Sequence, residues 1–168
     1  MSTTSLSSAS ASIYDFKVPG LNGQEIDFAH FKNKKILVVN TASACGYTAQ
    51  YEELEKLHKQ YGDTLAIVGF PANNFGAQEP GTNAEIKEFC SLHYGVNFNL
   101  AEKLSVAGED IHPLFQYLTE KAITELGSPD PVIKWNYTKF LIDERGNLIK
   151  LFPSRVKPMD EEITNHLT

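Results

Sequence analysis

Two cysteines are the residues of this chain whose side chains could do nucleophilic chemistry, and Cys45 has the more informative surroundings. It follows an apolar run at residues 36–39 after a few small and polar residues, and a helical pattern begins near Thr48. We therefore predict that Cys45 lies where a strand ends and a helix begins, a place where backbone N–H groups and the helix dipole favour negative charge. Because the thiolate is the nucleophilic form of cysteine, this position predicts a reactive thiol.

The motif at residues 45–48 reads Cys-Gly-Tyr-Thr, with threonine where a Cys-x-x-Cys redox motif has its second cysteine. Cys45 must therefore act alone or pair with Cys90, the other thiol of the chain. None of the five histidines has a motif that ties it to Cys45. A thiol without a partner base is suited to attack an atom that is already electrophilic, such as a peroxide oxygen. The Cys and His residues also lack the spacing of a metal site, so we expect neither a metal nor an organic cofactor.

The elements that would position Cys45 form a parallel crossover. Residues 36–39 and 65–70 are almost continuously apolar, as strands are when a parallel sheet is buried on both faces. Between them, residues 48–61 carry apolar side chains at helical spacing, and Gly62 ends the pattern. A strand, a helix and a second strand in this order form a right-handed unit.

The rest of the chain adds helices and an antiparallel pair of strands. Thr82 and Glu85 have the spacing of a capping box, which predicts a helix over residues 83–93. The other predicted elements are short strands at 13–16 and 25–28 around an Asn22-Gly23 turn, a helix from Pro113 to about 121, strands at 139–143 and 147–152, and a last helix near Pro158. This order predicts an α/β protein with a thioredoxin-like fold, in which helices flank a central mixed β-sheet on both faces and an N-terminal β-hairpin precedes it.

Composition predicts a single globular domain. The chain has 168 residues, of which 42% are hydrophobic and 21% charged, and its net charge is −6. We assign residues 13–168 to one domain and the Ser/Thr-rich residues 1–12 to a disordered tail without the features of a secretory signal. The negative charge argues against nucleic acid as a partner, and no apolar stretch is long enough for stable insertion in a membrane. Two cysteines do not make a disulfide framework, so we expect a cytoplasmic protein.

Three stretches of the sequence, at residues 40–51, 70–81 and 134–141, resemble the signature sequences of the glutathione peroxidase family. They occur in the family's order, and the similarity extends from about residue 13 to the C-terminus. Three long matches together are far more specific than one short motif. The resemblance implies a thiol peroxidase.

Carried over residue by residue, the resemblance implies a catalytic tetrad. Cys45 would be the peroxidatic thiol, and Gln78, Trp135 and Asn136 would be its polar partners. Neutral amide and indole donors around a sulfur atom favour the thiolate and can orient a peroxide. Taken alone, Trp135 could instead be a core aromatic residue and Gln78 a loop cap.

The resemblance also implies a role for Cys90, because cysteines in this region act as resolving thiols in the thioredoxin-dependent members of the family. Helical spacing leaves another interpretation open: Cys90 shares a face with Ile86, Phe89 and His93 and could be a small buried apolar residue. If Cys90 does resolve Cys45, the α-carbons must come within about 7 Å. We then expect its helix to shift or unwind on oxidation.

Other features refine the resemblance. Many relatives have cysteine where this chain has Ala72 and glutamine where it has Asn74, and many animal relatives have selenocysteine in place of Cys45. The segment at residues 121–135 is short, which resembles the monomeric branch that tolerates phospholipid hydroperoxides. No motif marks a cationic cluster for a glutathione carboxylate. The short segment favours a monomer. Together with the missing cationic motif, it favours a thioredoxin-type reductant rather than glutathione.

The predicted function is therefore the reduction of hydrogen peroxide and of organic and lipid hydroperoxides. Cys45 would become a sulfenic acid, condense with Cys90 to a disulfide and be recycled by a thioredoxin-type protein. An alternative is a peroxide sensor or redox relay, which would pass the same oxidation to a client protein. A third interpretation, a structural module with a thioredoxin-like fold, requires an unreactive Cys45.

Overall fold

A computed structural model describes residues 12–167 of the chain. Its strands and helices, in chain order, are β1 (Lys17–Pro19), β2 (Glu25–Asp27), β3 (Lys35–Thr41), α1 (Gln50–Tyr61), β4 (Leu65–Pro71), α2 (Asn83–Tyr94), β5 (Asn99–Leu100), α3 (Pro113–Leu126), β6 (Lys139–Ile142), β7 (Leu148–Phe152) and α4 (Glu161–Thr164). Two 3₁₀ turns cover Ile13–Asp15 and Phe28–Phe31. No helix among these residues is long and apolar enough to span a bilayer.

The central sheet has five strands in the order β5-β4-β3-β6-β7. β3 pairs in parallel with β4 and antiparallel with β6, so that Val38 lies between Val68 and Phe140. Every residue of β4 is buried, and so is all of β3 after its first residue, which explains the continuous apolar runs in the sequence. The predicted crossover and mixed sheet are confirmed.

Helices cover both faces of this sheet, as expected. Because side chains alternate along a strand, Ile36 and Val38 face a core shared with α3. Leu37 and Val39 face the opposite core, which α1, α2 and α4 complete. Each fully buried aliphatic or aromatic side chain stabilises the fold by roughly 1.5–3 kcal/mol. The two cores hold the strand ends that carry the candidate site.

The N-terminal hairpin exists, but its first strand is displaced from the prediction. β1 and β2 pair antiparallel around the expected turn, with Val18 opposite Ile26. Residues 13–16 were wrongly predicted as a strand: Ile13–Asp15 form a 3₁₀ turn, and Phe16 follows it in an extended conformation. The reason is local, because the Ser12 hydroxyl accepts the Tyr14 N–H and the Asp15 carboxylate accepts the Ser12 N–H. The short strand β5 was missed altogether. Residues 1–11, most of the predicted tail, lie outside the described residues.

The helix that carries Cys90 has the predicted start and a defined end. Thr82 and Glu85 form a reciprocal capping box at the start of α2. Gly95 ends the helix with a φ of 56°, in the left-handed region that favours glycine. These two signals delimit α2 as one helical unit that covers a face of the sheet beside α1.

Candidate active site

Cys45 lies in the turn between the end of β3 and the start of α1. The Thr48 hydroxyl accepts the Cys45 N–H at 2.9 Å and donates to the Ala42 carbonyl at 2.8 Å. A second cysteine at the fourth position of the motif would not supply these two hydrogen bonds. Through them, Thr48 links the Ala42 carbonyl to the Cys45 N–H and fixes the Cys45 backbone.

The Cys45 sulfur is enclosed rather than open to solvent, with 8% of the residue exposed. Its Sγ accepts a hydrogen bond from the Tyr47 N–H at 3.4 Å, a distance suited to sulfur. The N–H thus comes from the turn itself and not from the first turn of α1, which begins at Gln50. The predicted corner between strand and helix is confirmed, and backbone N–H donation to sulfur occurs there.

Tyr137 makes a second clamp on the same turn. Its buried hydroxyl donates to the Ala42 carbonyl at 2.6 Å and accepts the Ala42 N–H at 3.3 Å. Burial raises the pKa of Tyr137 far above the usual range, so the phenol stays protonated and remains a donor. Sequence reasoning did not assign this residue. Its place directly after Asn136 was the available signal.

Gln78 and Asn136 come together beside this turn. The Asn136 Nδ2 donates to the Gln78 Oε1 at 3.1 Å, and the Gln78 carbonyl accepts the N–H of Ala44 at 3.0 Å. The loop with Gln78 is therefore bonded to the residue immediately before Cys45. Asn136 itself is fully buried, and its Oδ1 has no partner among the described residues.

Trp135 lies against the glycine of the same loop. Gly76 has a φ of 67°, and a Cβ at this position would come within 2.9 Å of the indole ring. The Trp135 carbonyl accepts hydrogen bonds from Asn40 and Thr138, which hold the backbone near the end of β3. Within residues 12–167, the indole N–H donates no hydrogen bond. These contacts bring Gln78, Trp135 and Asn136 together near the Cys45 turn; their catalytic roles stay predictions.

Cys90 lies in α2 on the apolar side that faces the sheet and is 1% exposed. Burial raises the pKa of its thiol to about 11; the neighbouring Tyr51 hydroxyl opposes this shift and the Glu79 charge adds to it. Cys45 and Cys90 belong to the same buried cluster, and both are free thiols. This location is compatible with a buried apolar residue and equally with a resolving thiol that is buried in the reduced protein.

A layer of buried polar groups lies beneath the turn. Four of the unpartnered buried oxygens among the described residues belong to Thr41, Ser43, Tyr51 and Glu79. Burial raises the pKa of Glu79, while Ser43 and the charge of Lys103 oppose the shift. Buried polar groups are normally paired or hydrated, so these oxygens are unusual features of the region that contains both thiols.

Ala72 and Asn74, the two residues that depart from the family pattern, have defined surroundings in the fold. Ala72 is fully buried in the core opposite α1, where a thiol would be remote from solvent. Asn74 holds a neighbouring loop, because its amide donates to Ser105 and Ala107 and its carbonyl oxygen accepts the Val106 N–H. The shorter side chain of asparagine therefore has a bonding role of its own.

A pocket of about 400 Å³ opens next to the turn and is lined by Tyr47. Val132, Leu151 and Pro153 give it an apolar lining, and Lys134 and Arg155 place two cations on it. No sequence motif marked these cations as a cluster, because they lie far apart in the chain. The pocket suits an amphiphilic molecule with an apolar chain and an anionic group.

The sequence matches the family described as glutathione peroxidase over residues 13–119. It is 46% identical over 155 residues to the hydroperoxy fatty acid reductase gpx1 of Synechocystis sp., across 89% of this chain and 91% of that protein. It is 42% identical over 160 residues to the glutathione peroxidase-like peroxiredoxin 2 of Saccharomyces cerevisiae, across 94% and 98% of the two chains.

The fold is also similar to that of a solved thiol:disulfide interchange protein of the thioredoxin family from Chlorobium tepidum. The TM-score is 0.66 at 17% identity, and the match covers 90% of this chain and 89% of that chain. At this identity the similarity concerns the fold alone. It confirms the predicted thioredoxin-like fold.

Proposed function

The chain belongs to the glutathione peroxidase family and is a peroxidase, and we propose that it reduces hydroperoxides through Cys45. The observation that carries this proposal is the hydrogen bonding around the Cys45 turn. The Gln78 carbonyl accepts the Ala44 N–H, and the Gln78 Oε1 accepts a hydrogen bond from the Asn136 amide, so the loop and Asn136 are linked to the turn that carries Cys45. Neutral donors of this kind, brought to the thiol with a bound peroxide, would favour the thiolate without pairing it with a fixed cation.

In the first step, the Cys45 thiolate attacks the terminal oxygen of the hydroperoxide. An S–O bond forms, the O–O bond breaks, and the departing alkoxide takes a proton to leave as alcohol or, from hydrogen peroxide, as water. Cys45 is oxidised to a sulfenic acid and the peroxide is reduced. The side-chain donors of Gln78, Trp135 and Asn136 stabilise the charge that moves from sulfur to oxygen.

In the second step, Cys90 condenses with the sulfenic acid. A disulfide forms, and the S–O bond breaks to release water. A thioredoxin-type dithiol then reduces this disulfide by exchange and becomes a disulfide itself. Because Cys90 is buried in α2 and its pKa is raised to about 11, we propose that α2 opens before Cys90 reacts.

The pocket beside Tyr47 supports organic hydroperoxides as substrates. Its apolar lining fits an acyl chain, and Lys134 and Arg155 fit a carboxylate or phosphate group. A relative named hydroperoxy fatty acid reductase points the same way. The same cations could bind the carboxylates of glutathione, so our preference for a thioredoxin-type reductant rests on Cys90. The family branch supports a monomer, and a content of two cysteines, too few for a disulfide framework, supports a reducing compartment such as the cytoplasm.

Intact-mass analysis tests this mechanism. Reduced wild-type protein and the Cys90→Ser variant each receive one equivalent of hydrogen peroxide. We expect wild type to lose two hydrogens and the variant to gain oxygen at Cys45. A wild-type protein that gains oxygen without forming a disulfide would leave Cys90 as a core residue, and no reaction in either protein would refute the peroxidase chemistry at Cys45. Turnover with thioredoxin that is slow compared with peroxide attack, together with a trapped mixed disulfide, would indicate a redox relay instead.

A further inference from the structure

Lys139 is a fully buried lysine at the start of β6 that the proposed chemistry does not use. Its ammonium group donates to the carbonyls of Ser154, at 3.2 Å, and Val156. No carboxylate among the described residues forms an ion pair with it. A buried charge without such a partner carries a large desolvation penalty, so apolar residues are the usual choice at such a position. A buried lysine at this position therefore needs a structural or functional explanation.

The two acceptors of Lys139 are the neighbours of Arg155 in the chain. Residues 154–156 are a short loop after β7, with no strand or helix of its own to set its course. Gln50 of α1 also donates to the Ser154 carbonyl, at 2.7 Å. The buried side chains of Lys139 and Gln50 thus hold the backbone on either side of Arg155. The Arg155 side chain itself is exposed and lines the pocket.

The same loop contacts the tetrad. The Ser154 hydroxyl donates to the carbonyl of Asn136. Lys139 therefore fixes a segment that touches the candidate catalytic machinery on one side and presents a cation to the pocket on the other. An apolar side chain at this place would fill space without bonding either carbonyl.

We propose that Lys139 is a positioning residue for substrate selection, which holds residues 154–156 so that Arg155 faces the anionic group of an organic hydroperoxide in the pocket beside Tyr47. This inference rests on the proposed function, because it assumes that the pocket receives the substrate. It concerns selection rather than the reaction itself. A change that reaches Asn136 through Ser154 affects all hydroperoxides alike and is reported by hydrogen peroxide, which has no anionic group, whereas a change in selection appears only in the comparison of charged and uncharged organic substrates.

The experiment compares three substrates: hydrogen peroxide, a long-chain fatty-acid hydroperoxide and the methyl ester of that hydroperoxide. The readout is the ratio of kcat/KM for the acid to kcat/KM for the ester. Lys139→Met keeps a side chain of similar length and removes the group that donates to both carbonyls. Arg155→Met and the double variant complete a double-mutant cycle. Lys150→Met, a change of an exposed lysine on β7, is the matched control.

We expect the ratio to fall about 3-fold in Lys139→Met, the size of a partly exposed charge contact. The ratio should not fall further in the double variant than in Arg155→Met, and Lys150→Met should keep the wild-type ratio. A merely structural role would lower all three rates together and leave the ratio unchanged, which would overturn the inference. Should Lys139→Met fail to fold, Lys139→Leu, which also lacks a hydrogen-bond donor, is measured in its place with the same criterion.

Failure of the proposed function has a different signature. If no hydroperoxide oxidises Cys45 in wild type, the proposed function falls and the inference falls with it. If wild type reduces the acid and the ester equally well, the pocket does not bind the anionic group, and the inference falls while the peroxidase chemistry stands. If wild type prefers the acid and Lys139→Met retains that preference in full, only the positioning role of Lys139 is overturned.

Discussion

Thr48→Val tests whether the hydroxyl that closes the Cys45 turn matters for the site. Valine has nearly the same shape as threonine, so the change removes two hydrogen bonds without leaving a cavity. The Ala42 carbonyl keeps its second donor, Tyr137, whereas the Cys45 N–H loses its acceptor inside the protein. An unsatisfied buried donor costs about 1–3 kcal/mol.

That cost corresponds to a fall in melting temperature of about 5 °C in a domain of this size. Thermal unfolding of the reduced protein measures it. We also expect peroxide to oxidise Cys45 about 10-fold more slowly. Without the hydroxyl the turn is mobile, and in a fraction of the molecules the thiolate then lies away from its hydrogen-bond donors. Trp135 is the only tryptophan, so stopped-flow fluorescence follows this step at the site itself.

Thr48→Ser is the matched control, because it keeps the hydroxyl and loses only a methyl group. We expect it to retain most of the oxidation rate. The reasoning is refuted if Thr48→Val matches wild type in both melting temperature and oxidation rate. It is also refuted if serine and valine are equally slow, since packing of the methyl group and not the hydroxyl would then be responsible.

Two further predictions concern α2 and Lys139. Hydrogen exchange of amides in α2 should be faster in the Cys45–Cys90 disulfide form than in the reduced form, because the helix must open to bring the thiols together; equal protection across Asn83–Tyr94 would contradict this. Burial lowers the pKa of Lys139 to about 7 from 10.5, with Asp160 and Glu53 opposing the shift. The unfolded chain therefore binds more protons between these values, so the free energy of unfolding should rise with pH from about 7 to 10.5. Denaturant titrations of wild type and Lys139→Met should differ in this slope, and parallel curves would argue against a depressed pKa.

The sequence predicted those parts of the fold that depend on neighbouring residues. The apolar runs of β3 and β4, the helix between them and the capping box of Thr82 and Glu85 are all written in residues a few positions apart. Interactions between neighbouring residues also explain why the strand predicted at residues 13–16 did not form. A capping pair at Ser12 and Asp15 outweighed a short apolar pattern, because in so short a segment one cap decides the backbone.

By itself the sequence determined that Cys45 follows a buried strand, that its motif lacks a second cysteine, and that three stretches resemble one family. Only the tertiary structure decided which groups from distant parts of the chain bond to the turn that carries that thiol. The bonds from Tyr137 to Ala42 and from Lys139 to the loop around Arg155 join residues from different elements. No local pattern encodes such pairs, because their approach depends on how the sheet and helices pack as a whole. Thus the nucleophile could be predicted from its neighbours in the chain, whereas its clamps and the cationic pocket became visible only in the folded protein.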